Sequence, residues 1–423
     1  MKEFDKIIGY KNIKIELERI CDIMRNPEKY AKLGVTTPRG LLLHGEPGVG
    51  KTLMCSCFIE ASGRKVFICR KDKSNGSFVD EIRKTFNDAE KCAPSIVFLD
   101  DFDKFANEDE YHQNAEEFVT VQSCIDECKG KEVFVLATVN EMRAMPKSLT
   151  RAGRFDKIIR VEAPGGDDAA AILAHYLSKK NFVADIAPDE LAKILSGGSC
   201  AELETVINEA GVYAGFEGRE IIERDDIIRA AMRVIFRAPE NLEQTDYEDQ
   251  LFIAYHEAGH AVIAEVLEEG SVSIVSVLSH SGSIGGVTSY DQSDRYFLHK
   301  SYMENRVISL LGGKAATELV YGETDVGANS DLHRAFDIVS RFVDDYCSNS
   351  FDCWAHDEES DFRRARKETA IADELSRYYN TAKKILTENR EFLDRLAKTL
   401  ADKKTLLQKD VAEIKAASAK KAA

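Results

Sequence analysis

A chain of 423 residues is too long for one ordinary domain and long enough for two or three. Apolar residues make up 44% and charged residues 31%, the balance of a soluble globular protein; a net charge of −16 argues against nucleic-acid binding as the main role. No apolar run reaches the roughly 18 residues that span a bilayer, and the N-terminus is polar from its start, so neither a membrane anchor nor a signal peptide is expected. None of the ten cysteines forms a C-x-x-C pair. Reduced thiols in a cytoplasmic compartment are therefore expected, without cysteine-ligated zinc.

Residues 1–164 alternate helix-like and strand-like segments. Residues 13–24 predict an amphipathic helix with Ile13, Leu17, Ile20 and Met24 on one face. A short buried strand over 40–44 runs into a glycine-rich turn, and a helix follows over 53–61. Further strands are predicted at 65–69, 95–99, 133–138 and 157–161. Short apolar runs separated by helices imply an α/β domain, a parallel sheet with helices on both faces. The break at Pro164-Gly165-Gly166 opens a small helical lid over 165–237, and 238–250 reads as a linker. Residues 251–415 predict a mainly α-helical second domain with a short hairpin within 272–290, and 363–407 predict charged packing helices. Residues 346–361 gather the single tryptophan, Cys347, Cys353 and His356 beside an acidic run and read as a solvated loop. The tail 416–423 is expected to fray.

The glycine-rich turn is Gly45-Glu46-Pro47-Gly48-Val49-Gly50-Lys51-Thr52, which fits G-x-x-x-x-G-K-[ST] between a strand and a helix. Its glycines let backbone N–H groups close around phosphates. Lys51 would reach the outer phosphates of ATP and Thr52 would hold Mg²⁺, with Leu53 completing the nucleotide-binding stretch. The strand over 95–99 ends in Asp100, placed for the metal, and Asp101, placed to polarise the attacking water. Asn140 ends the next strand and can hold that water near the γ-phosphate. Arg151 and Arg154 offer two guanidiniums that can act on the nucleotide of a neighbouring subunit.

His256-Glu257-Ala258-Gly259-His260 fits H-E-x-x-H. On a helix, His256 and His260 share one face as zinc ligands, and Glu257 is placed to act as general base on a water activated by the metal. The apolar residues on either side argue for a buried helix. The third ligand lies among Glu318, Glu323, Asp325, Asp331 and His333, and spacing does not choose between them.

Two enzymatic motifs in this order resemble FtsH, the ATP-dependent zinc metalloproteases of the AAA+ class. The likeness runs over nearly the whole chain, including Gly312-Gly313, the stretch from Glu318 to Gly322 and the stretch from Gly327 to Leu332. The resemblance implies Asp331 as third ligand, with Glu318 no closer than a supporting position. It also implies a homohexameric ring acting on unfolded or tagged proteins, Arg151 and Arg154 as arginine fingers, and Ile7 and Ile8 at the adenine. Three departures stand out. Asp101 replaces the family's glutamate and predicts slow ATP hydrolysis. The stretch 71–78 lacks the pore aromatic near Ser74, with Phe78 as a substitute if the loop is shifted. Phe4 already belongs to the ATPase domain, where the family has two preceding membrane helices, so the chain is a soluble member or a truncated one. The alternative to a protease is an ATP-switched remodelling or binding ring with slow or vestigial peptidase activity. A third reading is an energy-independent peptidase in which nucleotide only holds the ring together.

Overall fold

A computed structural model describes residues 2–71, 78–106, 115–151, 153–181, 187–237, 246–278, 286–290, 299–323, 326–346 and 360–419. Most of the pore-loop stretch, Asp325, most of the linker and most of 346–361 lie outside the described residues. Two compact units emerge: Met1–Phe182 with Gly197–Asn208, and Val183–Ser196 with Glu209–Ala423. Among the described residues no helix is long and apolar enough to cross a membrane.

The first unit is built on five parallel strands, β1 (Gly40–His44), β2 (Lys65–Cys69), β3 (Ser95–Leu99), β4 (Val133–Val139) and β5 (Lys157–Arg160), in the order β2-β3-β4-β1-β5. Helices α1 (Lys11–Arg25), α2 (Pro27–Ala31), α3 (Lys51–Ser62), α4 (Phe78–Lys91), α5 (Ala115–Glu127) and α6 (Gly166–Leu177) accompany them. Burial follows strand position. Every residue of the interior strands β3 and β4 is buried, whereas the edge strands β2 and β5 are largely open. That is why the interior strands read as unbroken apolar runs. The chain leaves β1 for the far edge, returns through β3 and β4, and places β5 on the other side of β1. The carboxyl ends of β1, β3 and β4 therefore lie side by side at a topological switch point, where open α/β sheets bind ligands.

Phe78 corrects one expectation. It opens α4 and is 2% exposed, on the same buried face as Ile82, Phe86 and Ala89, with its ring edge-on to Phe105 at 5.0 Å. A side chain locked into that core cannot grip substrate in a pore.

The second unit contains α7 (Pro188–Ile194) and α9 (Arg224–Val234), and α8 (Cys200–Phe216) begins among the residues of the first unit and ends among those of the second. Its centre is α10 (Tyr247–Leu267), which is buried continuously from Ala254 to Glu265. A helix that is apolar all round belongs inside a core, and α12 (Gly312–Tyr321), α14 (Asp361–Glu388) and α15 (Arg390–Lys403) pack on it. Helices α11 (Lys300–Leu310), α13 (Asn329–Asp344) and α16 (Gln408–Ala419) complete the helical shell. The hairpin expected within 272–290 is present as β6 (Val272–Ser276) and β7 (Val287–Tyr290), paired antiparallel. A third strand, β8 (Thr405–Leu407), joins the other edge of β6, in a stretch whose pattern reads as helix. Three residues carry too little periodicity to announce a strand. It forms because β6 offers an edge, and its Leu406 and Leu407 are buried there.

The crossing of α10 and α12 depends on glycine. A Cβ at Gly259 would lie 2.4 Å from the Gly312 carbonyl oxygen, and one at Gly312 would lie 2.7 Å from the Gly259 carbonyl oxygen. The two backbones touch, and no side chain fits between them.

Candidate functional site

The phosphate loop joins β1 to α3. A Cβ at Gly45 would meet the Val161 carbonyl oxygen at 1.9 Å, and Gly50 takes φ +95° at the start of α3, so both positions require glycine. Val49 is fully buried, and the exposed Glu46, Pro47 and Gly48 form the outer rim. Lys51 is buried and donates to the carbonyl oxygens of Gly45 at 2.7 Å and Glu46 at 2.8 Å. Burial lowers its pKa, opposed chiefly by Asp103 and Asp101. Thr52 and Leu53 stand exposed on the first turn of α3.

Asp100 and Asp101 follow β3. Asp100 is buried and accepts from Thr138 Oγ1 at 2.8 Å, with Arg70 at 3.4 Å from its other oxygen. Thr138 also accepts the Asp101 backbone N–H at 2.9 Å, so one β4 hydroxyl fixes both acidic residues. The Asp101 carboxylate accepts from Lys104 at 2.6 Å and from Asn140 Nδ2 at 3.4 Å. The Lys104 bond is the main reason its pKa lies below the ordinary carboxylate value. Asp103 accepts the backbone N–H groups of Asn140 and Glu141, each at 3.2 Å, and so holds the β4 end against the acidic turn. The expected group of Lys51, Asp100, Asp101 and Asn140 thus sits at one edge of the sheet. Thr138, Asp103, Lys104 and Arg70 belong to it too, and no motif spacing marks them.

Ile7 is 2% exposed and Ile8 half-buried; the Ile7 carbonyl oxygen accepts from Lys14 at 3.0 Å. The two arginines differ. Arg151 is exposed. Arg154 is 16% exposed at its side chain, pairs with Asp126 at 2.8 Å and donates to the Ser148 carbonyl oxygen. Within this chain, the Arg154 guanidinium is engaged as an internal brace.

In the second unit, His256, His260 and Asp331 bring their ligand atoms within 4.8 Å of one another. The Nε2 atoms of the two histidines are 3.0 Å apart, and Asp331 Oδ2 lies 3.4 Å from the first and 3.2 Å from the second. Burial would raise the Asp331 carboxyl, but hydrogen bonds from both imidazoles hold it well below the usual carboxylate range. His260 Nδ1 lies 2.7 Å from the Ser309 carbonyl oxygen and 3.3 Å from the Gly313 backbone nitrogen, contacts that hold the ring with Nε2 turned toward the cluster. Gly313 makes room for the cluster, since a Cβ there would lie 2.4 Å from His256 Nε2 and 2.6 Å from His260 Nε2.

Glu257 is 5% exposed and accepts from Thr288 Oγ1 at 2.7 Å. Of the other third-ligand candidates, Glu323 and His333 are exposed. Glu318 accepts from Tyr379 and, at 2.9 Å, from Lys383; these bonds hold its pKa at about 2. Among the described residues its carboxylate is an anchor between α12 and α14 and touches no member of the cluster.

Two family models match the chain: the ATPase family associated with various cellular activities over residues 41–163, and peptidase family M41 over residues 243–414. The ATP-dependent zinc metalloprotease FtsH 2 of Thermoanaerobacter sp. is 30% identical over 96% of this chain and 82% of its own length. This chain belongs to the FtsH family. A second relative of the same description, from Phytoplasma mali, is 30% identical over 97% of the chain, which spans 62% of that relative. The FtsH metalloprotease of Pelobacter propionicus is 29% identical over 97% of the chain and 70% of its own length. The residues fit the zinc in the family's description. Two imidazole nitrogens and one carboxylate oxygen converge among the described residues, a donor set of the kind that holds zinc in catalytic sites. They fit ATP with Mg²⁺ as well, through the loop from Gly45 to Thr52 and the buried Asp100.

Proposed function

We propose that this FtsH-family chain is an ATP-dependent zinc metalloendopeptidase that unfolds and degrades unfolded or tagged proteins as a cytoplasmic homohexameric ring. The observation that carries the peptidase half is the convergence of His256, His260 and Asp331 beside a buried Glu257. His256, His260 and Asp331 would hold the zinc, which would supply Lewis acidity toward a peptide carbonyl and toward a water. Glu257 takes the proton of the attacking water at its carboxylate and returns it to the leaving amine. The Ser309 carbonyl oxygen and the Gly313 N–H orient the His260 ring.

On the ATPase side, Gly45 to Leu53 receive the phosphates, Lys51 leaves its loop carbonyls for the outer phosphates, and Thr52 and Asp100 hold Mg²⁺. Asp101 and Asn140 orient the attacking water. Arg151 reaches the neighbouring subunit's nucleotide from its exposed position, Arg154 supports that loop through Asp126, and Ile7 and Ile8 border the adenine.

The test is degradation of an unfolded, fluorescently labelled protein with zinc present, with and without ATP, alongside Glu257→Gln and Lys51→Ala. Cleavage that requires ATP and disappears in both variants is the expected result. Absence of cleavage throughout, with ATP still bound, would replace this reading with a remodelling ring. Equal cleavage with and without ATP would leave an energy-independent peptidase.

A further inference from the structure

Glu257 is the residue proposed above as general base, and α10 alone does not fix where its carboxylate points. Two contacts from the start of β7 do. A Cβ at Gly286 would lie 2.4 Å from Glu257 Cγ and 2.3 Å from the Ser276 carbonyl oxygen, so the Gly286 backbone is pressed directly against the glutamate's methylene stem. Two residues on, Thr288 Oγ1 lies 2.7 Å from Glu257 Oε2. The same hydroxyl is 3.2 Å from the Glu257 carbonyl oxygen, and its single proton goes to the shorter, charged contact. Antiparallel pairing sets this geometry: Val287 stands opposite Ser276 and Thr288 opposite Val275, so the register of β7 on β6 carries the hydroxyl to the carboxylate.

We infer that Thr288 is the positioning residue for the general base, a role that deepens the peptidase reading and rests on it. Its hydroxyl donates to Oε2 and fixes the carboxylate rotamer, so proton transfer falls to Oε1, while Gly286 fixes the stem. The contact is to Glu257 and to none of the three metal ligands, so its loss changes the base and leaves the ligand set whole. Substrate binding is distinct from proton transfer, and the effect belongs in kcat rather than KM.

The experiment uses the full chain with zinc and a short fluorogenic unfolded peptide, comparing wild type with Thr288→Val, Thr288→Ser and Glu257→Gln. Valine keeps the branched shape and removes the donor. Thr288→Val is expected to lower kcat about ten- to a hundredfold, the loss typical of a misdirected supporting contact, with little change in KM. Thr288→Ser, which keeps the hydroxyl, is expected to recover most of that loss. Bound zinc per chain is expected to stay at the wild-type value in Thr288→Val. A peptidyl hydroxamate, whose hydroxyl needs an aligned carboxylate, is expected to bind that variant more weakly. A Thr288→Val enzyme with wild-type kcat overturns the inference while leaving the peptidase reading intact. So does a serine variant as slow as the valine one, or lost zinc, because either would make the role one of packing. A wild-type chain that holds zinc and never cuts the peptide overturns both.

Discussion

Asp101 sits in a left-handed backbone conformation, φ 52° and ψ 49°, with its carboxylate between Lys104 at 2.6 Å and Asn140 at 3.4 Å. A glutamate at this position would carry the carboxylate one methylene further from the backbone. Misplacement of a reacting group by about 1 Å can cost about a hundredfold in rate. Asp101→Glu is therefore expected to hydrolyse ATP several-fold faster in a steady-state phosphate-release assay. An unchanged or lower rate would show that the shorter side chain is not what limits the step. The identity of Asp101 and its place after a buried strand were legible in the sequence. Its Lys104 partner was not: a lysine three residues beyond an aspartate is a common surface pair, and only the turn after β3 brings the two together.

At the scale of elements, the room for the cluster proposed to hold zinc depends on how α10 and α12 cross. Gly259 and Gly312 let the two backbones touch, and Gly313 then lies over the imidazoles. A Gly313→Ala change introduces a methyl group 2.4 Å from His256 Nε2. Overpacking of this kind costs about 1–3 kcal/mol, and here the groups that must yield are the ligands themselves. The variant is expected to keep its helical circular dichroism and lose bound zinc, measured by metal analysis of the purified protein; full zinc content would show that the crossing tolerates a side chain. The H-E-x-x-H spacing placed the two histidines together because α-helical geometry puts residues i and i+4 on one face. Nothing in the spacing announced that two glycines far along the chain would make the room. The strand β8 went unread for a related reason, since its pairing partner β6 lies about 130 residues away and supplies what a three-residue run lacks.

The whole molecule divides its chemistry between two units with separate apolar cores. Zinc removal by a zinc-selective chelator is therefore expected to stop peptide cleavage while ATP hydrolysis persists. Parallel peptidase and phosphate-release assays on one preparation check this. A matching fall in ATP hydrolysis would mean that the metal supports the ATPase unit as well.

By itself the sequence determined the two chemistries, the parallel sheet and most of the helices. Those rest on local order: a glycine turn between a strand and a helix, a two-histidine helical face, and apolar runs of strand length. Only the tertiary structure shows Asp331 gathered with His256 and His260, Arg154 engaged by Asp126, and Phe78 in the core. It also decided the partners of the catalytic groups, Thr138 for the acidic pair, Ser309 for His260 and Thr288 for Glu257. These contacts join residues 27 to 75 positions apart, across strand registers and helix crossings. Periodicity and motif spacing carry information over a few turns of helix or one strand, whereas such contacts are fixed by which elements pack together and at what register.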